Sequence, residues 1–217
     1  MPDDQLISEP AQRYAGHLSA MIRCATVSAG READPAAFTE FQALLESVYP
    51  LVHANLEQIL IDERSLLFHW SGQDESSCPE PLVLLAHHDV VEATGSWTHP
   101  PFAGEISGGQ IWGRGALDNK GSLCAILEAI EQLLAEGFRP QRGIWLASSH
   151  EEEPMGDGAA KIVQYLDRLK IRPMMVLDEG GAIIDQIFPG VSGQAALIGV
   201  AEKGYLNIRI TAHSAGG

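Results

Sequence analysis

The sequence predicts an α/β domain with a mostly parallel, mixed sheet, followed by the first strand of a second, α+β domain. Three observations carry this reading. Short apolar runs at residues 82–86, 143–149 and 174–177 have the length and composition of strands buried on both faces. Segments with apolar residues at helical spacing separate them, an order that gives parallel strands joined by crossover helices. Residues 206–212 (Leu-Asn-Ile-Arg-Ile-Thr-Ala) instead alternate apolar and polar, as a strand with one solvated face does, and so belong to a different sheet. The division falls at residues 1–203 and 204–217.

Along the chain, residues 11–22 and 35–48 carry apolar side chains at helical spacing, and residues 59–70 read as extended in parts. Residues 71–81, rich in Ser, polar residues and Pro, form a loop before the first buried strand. Residues 119–136 place Leu123, Ile126, Leu127, Ile130, Leu133 and Leu134 on one helical face, with Gly137 as the C-terminal cap. After the second strand a helix covers residues 157–169, with Gly156 and Asp157 near its start. There is no internal repeat and no low-complexity tract.

Composition bounds the function. Of 217 residues, 45% are apolar, enough for a substantial core. The 29 acidic against 14 basic side chains give a net charge of −15, which disfavours nucleic acid and anionic membranes as partners. No apolar run reaches the roughly 18 residues of a membrane span. The acidic N-terminus Met1-Pro2-Asp3-Asp4 lacks the layout of a secretory signal, so the expected location is cytoplasmic. Cys24, Cys78 and Cys124 are odd in number and far apart, which suggests neither a disulfide framework nor a thiolate metal site. Any metal must therefore use His, Asp and Glu, and Cys124 is a small core residue of a helix.

Each buried strand ends in metal-capable side chains. Residues 82–86 run into His87-His88-Asp89, residues 143–149 into His150-Glu151-Glu152-Glu153, and residues 174–177 into Asp178-Glu179. Asp118 stands just before the long helix, after the turn Gly113-Arg114-Gly115. Singly, each has an ordinary explanation: a solvated loop, a charged face, a helix cap or a turn. Together they fall at the carboxyl ends of strands, where open α/β sheets build their sites. Residues i and i+2 of an extended segment point the same way, so His87 and Asp89 can share one target. Imidazole and carboxylate without thiolate suit zinc, with cobalt or manganese able to substitute. So many carboxylates would repel one another unless cations lay between them, which points to two metals and to one of the adjacent glutamates as general base.

These residues resemble the M20 family of metallopeptidases, in its branch of Gly-Xaa carboxypeptidases and N-acyl-amino-acid hydrolases. The matching segments are residues 86–91 (Ala-His-His-Asp-Val-Val), 112–121 (Trp-Gly-Arg-Gly-Ala-Leu-Asp-Asn-Lys-Gly), 150–158 (His-Glu-Glu-Glu-Pro-Met-Gly-Asp-Gly) and 177–181 (Leu-Asp-Glu-Gly-Gly). The resemblance implies a three-layer zinc-peptidase-like catalytic domain and a lid domain beginning at residue 204. It implies two zinc ions, with His87 and Asp178 on one, Glu153 on the other and Asp118 bridging both. Glu152 would be the general base acting on a metal-bridging hydroxide, in the register set by Gly156 and Gly158, and Asp89 would orient His87. It further implies a cis peptide bond at Asp118–Asn119.

The activity so implied is hydrolysis of amide bonds in small N-acyl amino acids or dipeptides, with a small peptide or N-acyl amino acid as partner and a homodimer formed through the lid. The family's remaining His ligand and its lid His would lie beyond residue 217, so a truncated, non-catalytic metal-binding fragment is the alternative from another class. An M28-type aminopeptidase also uses His-x-Asp, Asp, Glu-Glu and Asp, but the segment from Gly113 to Gly121 fits M20 better. His213 reads as a surface histidine of the second domain.

Overall fold

Asp34 and Pro35 show how local sequence starts a helix here: the Asp34 carboxylate accepts the Ala36 N–H at 2.9 Å, and Pro35 occupies the first turn, where its missing N–H costs nothing. This computed structural model describes residues 8–180 and, beyond them, 183–186, 189–190, 192–201, 203–204, 206 and 208–214. Two units divide it, Met1–Glu179 and Gly180–Gly217.

The first unit opens with helices α1 (Glu9–Arg23), α2 (Pro35–Val48) and α3 (Pro50–Asn55). The strands β1 (Glu57–Ile61), β2 (Ser65–Trp70) and β3 (Leu82–Leu85) follow, then a small hairpin of β4 (Glu105–Ser107) and β5 (Gln110–Trp112). The remainder alternates: α4 (Lys120–Ala135), β6 (Ile144–Ser148), α5 (Gly158–Arg168) and β7 (Met175–Leu177). The main sheet has the order β1-β2-β6-β3-β7. Its site-bearing strands β6, β3 and β7 run parallel, with Leu82 opposite both Ile144 and Met175, while β2 joins β6 antiparallel. The sheet is thus mixed, as expected, with the parallel part where the metal-capable residues emerge.

Alternation along the strands makes three layers. Leu66, Phe68, Trp70, Ala86 and Leu146 face a core shared with Met21 of α1, Phe41 and Leu45 of α2, Val52 of α3 and Leu123, Leu127 and Ile130 of α4. Leu67, Val83, Trp145 and Ala147 face the other way, against Ile162 and Leu166 of α5. Cys124 is buried in the first of these cores, and all three cysteines are free. Helix α4 ends as its sequence indicates: Gly137 takes a φ of +74°, and the N–H groups of Gly137 and Phe138 bond back to the carbonyls of Leu134 and Leu133.

Two differences from the sequence expectation have physical causes, and a third lies in the second unit. Helix α3 and the β4–β5 hairpin are too short, at 6 and 3 residues per element, to show a period. β7 is not buried on both faces, since Val176 is 51% and Leu177 54% exposed. It is the outer strand of the sheet, and α5 packs against the strands further in. In the second unit a hairpin of β8 (Ile183–Asp185) and β9 (Gln194–Ala196) forms, whereas no described residue of 206–212 belongs to a strand. Residue 207, within that expected strand, lies outside the described residues, as does residue 181 of the last quoted motif. Among the described residues no helix is long and apolar enough to cross a membrane.

Candidate metal centre

His87 leaves the end of β3 and is 4% exposed. Its ring is held from behind by Asp89, whose Oδ1 lies 3.3 Å from Nδ1 and whose backbone oxygen lies 3.1 Å away. Nε2 is thereby turned toward a set of carboxylates, the arrangement in which an outer carboxylate fixes the orientation of a ligating imidazole. From Nε2 the Asp118 Oδ1 is at 2.9 Å, the Glu179 Oε2 at 3.5 Å and the Glu152 Oε2 at 3.8 Å.

Asp89 is fully buried and does a second job. Its Oδ1 accepts the Glu152 N–H at 3.1 Å and its Oδ2 accepts the Glu153 N–H at 3.2 Å, so the loop after β6 is pinned to the loop after β3. Burial opposes ionisation of Asp89, but the hydrogen bonds from His87 and from these backbone groups outweigh it and hold the carboxyl below its ordinary range. Burial likewise opposes protonation of His87, yet Asp89, Glu179 and Asp118 push its pKa up to about 9.

Asp118 arrives from the far side, on the loop between β5 and α4, and its side chain is 70% exposed. The Asp118–Asn119 peptide bond is cis, as the resemblance implies. Glu153 and Glu179 are both raised above the ordinary carboxyl range, first by partial burial and then by carboxylate neighbours, Asp118 among them. His88 and His150, inside the motifs but unassigned by the resemblance, turn into the interior: Nδ1 of each lies 2.7 Å from a serine hydroxyl, Ser148 and Ser65 respectively.

Of the residues expected from sequence, His87, Asp118 and Glu152 meet, Asp89 stands behind His87, and Glu153 follows Glu152 on the loop after β6, within the field of Asp118 and His87. Asp178 is placed differently: it is exposed, and its Oδ1 accepts the N–H of Glu179 at 2.8 Å. Of the pair Asp178 and Glu179 that ends this strand, Glu179 is the one whose carboxylate turns toward His87. His87, Asp118 and Glu179 offer one donor atom each within 4.8 Å of one another, a set that fits a divalent cation. The raised Glu153 and Glu179 fit it too, because a cation would offset both the burial and the neighbouring carboxylates that raise them. A mostly apolar groove of about 460 Å³ opens beside the cluster, running from His87, Glu152 and Glu179 past Leu85 and Ala147 to Ile162.

Imidazole and carboxylates at the carboxyl ends of parallel strands place the chain among α/β domains with a candidate metal site at the sheet's carboxyl edge. Comparison with known proteins narrows this class. The sequence model of peptidase family M20/M25/M40 matches residues 83–214, more than half of the chain, and the chain belongs to that family.

Among curated relatives, the Dictyostelium discoideum protein named "Probable carboxypeptidase S-like 2" is 43% identical over 185 residues, 83% of this chain and 35% of that protein. The N-fatty-acyl-amino acid synthase/hydrolase PM20D1 of Homo sapiens is 35% identical over 204 residues, 92% of this chain and 40% of that one. The chain thus spans well under half the length of these relatives. Among solved structures, human carnosine dipeptidase 1 matches with a TM-score of 0.65 at 17% identity, over 80% of this chain and 39% of that chain. The M20 family metallo-carboxypeptidase Sso-CP2 of Sulfolobus solfataricus matches with 0.62 at 21%, over 82% and 38%. At these identities the structural matches establish the fold.

Proposed function

We propose that the protein is a metal-dependent hydrolase of amide bonds in small N-acyl amino acids or dipeptides, working with two zinc ions for which cobalt or manganese can substitute. The observation that carries this is the meeting of His87 with Asp118, Glu152 and Glu179, carboxylates from three separate loops, around one buried imidazole edge. Family membership and the names of the relatives support the reaction class, since those proteins are described as carboxypeptidase-like and as an N-fatty-acyl-amino acid synthase/hydrolase.

The residues that would hold the metal are His87, Asp118, Glu153 and one of the pair Asp178 and Glu179, of which the resemblance names Asp178 and the geometry favours Glu179. Bound there, divalent ions supply Lewis-acid polarisation of the substrate carbonyl and acidify a water. The chain's own groups do the rest. Asp89 keeps the imidazole aimed and, through the Glu152 N–H, fixes where the Glu152 carboxylate starts. Glu152, half-exposed and 3.8 Å from His87 Nε2, takes a proton from the attacking water and returns it to the leaving nitrogen. The C–N bond breaks, and a carboxylate and an amine are released.

Metal content and amine release test this together. Glu152→Gln should keep bound zinc, while in a protein spanning the full length of the relatives it should lower turnover by roughly 10²–10⁴-fold. His87→Ala should lose the metal itself. Full turnover by the Glu152→Gln variant would remove Glu152 from its role, and unchanged zinc content in the His87→Ala variant would remove the site.

A further inference from the structure

Asp118 has a problem that its own surroundings do not solve. The side chain is 70% exposed, and Leu117 before it is 93% exposed, so packing around these two residues does not fix where the carboxylate stands. The buried anchors of this loop come directly afterwards: Asn119 is 1% and Lys120 0% exposed.

Lys120 is fully buried, and burial pushes its pKa down to about 7. Among the described residues no carboxylate pairs with it. Its Nζ donates to the carbonyls of Met21 at 3.0 Å and Cys24 at 2.6 Å, and it lies 5.2 Å from the centre of the Phe41 ring. Met21 and Cys24 stand in the last turn and at the C-terminal cap of α1, where carbonyls lack an intrahelical partner and the helix dipole is negative; the Cys24 carbonyl also accepts the Thr26 N–H at 2.9 Å. The ammonium is therefore a C-terminal cap delivered from another element, 96 or more residues away in sequence.

The same residue closes the Asp118 loop. The Lys120 N–H donates to the Gly115 carbonyl at 3.0 Å, and the lysine stem passes so near Gly115 that a Cβ there would sit 3.4 Å from Lys120 Cδ and 2.8 Å from Val90 Cγ1. The segment that receives the ammonium continues into the one that holds the His87 loop. Thr26 Oγ1 donates to the His88 carbonyl at 2.5 Å, the Val90 N–H donates to the Thr26 carbonyl at 3.0 Å, and Val27 bridges Val90. Residues 21–28 thus brace both loops, one through Lys120 and the other through Thr26 and Val27.

We propose that Lys120 is a positioning residue whose buried clamp onto the end of α1 sets the separation of Asp118 from His87 and, with it, the affinity of the metal site. The inference rests on the metal-site reading above. Removal of a group that orients a metal ligand typically weakens binding by roughly 10- to 100-fold, and a loss of that size is expected here.

The test is a Co²⁺ titration of the 217-residue chain, reading both affinity and the d–d absorption band, for the unaltered chain, Lys120→Met and Leu127→Ala. Leu127 lies two turns further along α4 in the same core, so its truncation lowers the melting temperature without touching the clamp. The expected result is a tenfold or greater loss of affinity with a changed band for Lys120→Met, and parent-like binding for Leu127→Ala, at a temperature where both are folded. Parent-like binding by Lys120→Met overturns the proposal, and so does an equal loss in both variants, which would make the effect general loosening. If Lys120→Met does not fold, Lys120→Gln, which keeps donors but not the charge or full reach, takes its place: weakened binding supports the clamp and parent-like binding overturns it. An unaltered chain that takes up no cobalt overturns the metal-site reading and this inference with it.

Discussion

Asp178 and Glu179 are neighbours just past β7, and only Glu179 turns its carboxylate to His87. Glu179 Oε2 lies 3.5 Å from His87 Nε2, whereas Asp178 Oδ1 is occupied by the Glu179 N–H at 2.8 Å. The partly buried Glu179 is raised by burial and by Asp118, Glu152 and Asp178, so it is also the carboxyl that gains more from a nearby cation. We therefore expect Glu179→Gln to weaken zinc or cobalt binding at least tenfold and Asp178→Asn to weaken it less than about threefold, both checked by titration of the metal-free chain. The opposite ranking would return the role to Asp178, as the family resemblance has it. The sequence narrows the choice to this pair and no further, for a plain reason. Consecutive side chains on an extended segment point to opposite sides, so a pair of carboxylates at a strand end always offers one, and the spacing alone does not say which. His87 and Asp89 were easier to read because i and i+2 point together, and the structure brings both to one place.

At the scale of elements, α2 meets the rim of the sheet through a histidine. The His88 ring stacks on Phe41 of α2 at 5.1 Å between centroids and meets Phe38 edge-on at 5.8 Å, while Nδ1 reaches Ser148 of β6 at 2.7 Å. Burial holds this imidazole neutral and pushes its pKa down to about 3 from an ordinary 6.5. The sign follows: the unfolded chain takes up a proton at this residue below 6.5 and the folded chain does not, so stability is lost as the pH falls toward 3. His87, pushed up to about 9, acts in the opposite sense and above 6.5, losing its contribution as the pH rises through 9. Between pH 7 and 5 the metal-free chain should lose about 2 kcal/mol of unfolding free energy to His88, and His88→Asn should flatten that part of a urea-unfolding series. An unchanged slope would mean that His88 is protonated in the folded chain. His150, lowered by burial in the same sense, leaves a residual slope. The elements themselves were legible where they are long. Helices α2, α4 and α5 fall within a residue or two of their apolar periodicity, and β3 and β6 within a residue or two of their apolar runs. Residues 113–115 read only as a turn, and the lysine that anchors it passed as part of a motif, because its partners are backbone carbonyls of a distant helix.

For the whole molecule, the confinement of the described cluster to one unit leads to a clear expectation. His87, Asp118, Glu152, Glu153 and Glu179, with the Asp89 and Lys120 that hold them, all belong to Met1–Glu179, and so do both apolar cores. Described residues of Gly180–Gly217 are mostly exposed, among them Ile198 at 84%, Val200 at 94% and Ile210 at 89%. The alternating pattern of residues 206–212 gives no strand among the described residues, and β8 and β9, at 3 residues each, are too short to show a period. A ligand that binds only the folded state stabilises it by about 2.7 kcal/mol at a hundredfold excess over its dissociation constant. In a chain of this size that corresponds to a rise in melting temperature of roughly 5–10 °C. Zinc should therefore raise the melting temperature of the metal-free chain by about that much, and EDTA should reverse it. A chain ending at residue 182, which keeps the new terminus clear of Glu179, should show the same zinc-induced rise within error, because every donor named above remains. A shortened chain that folds but gains nothing from zinc would show that residues 183–217 supply part of the site. The cluster around His87 would then not hold metal by itself.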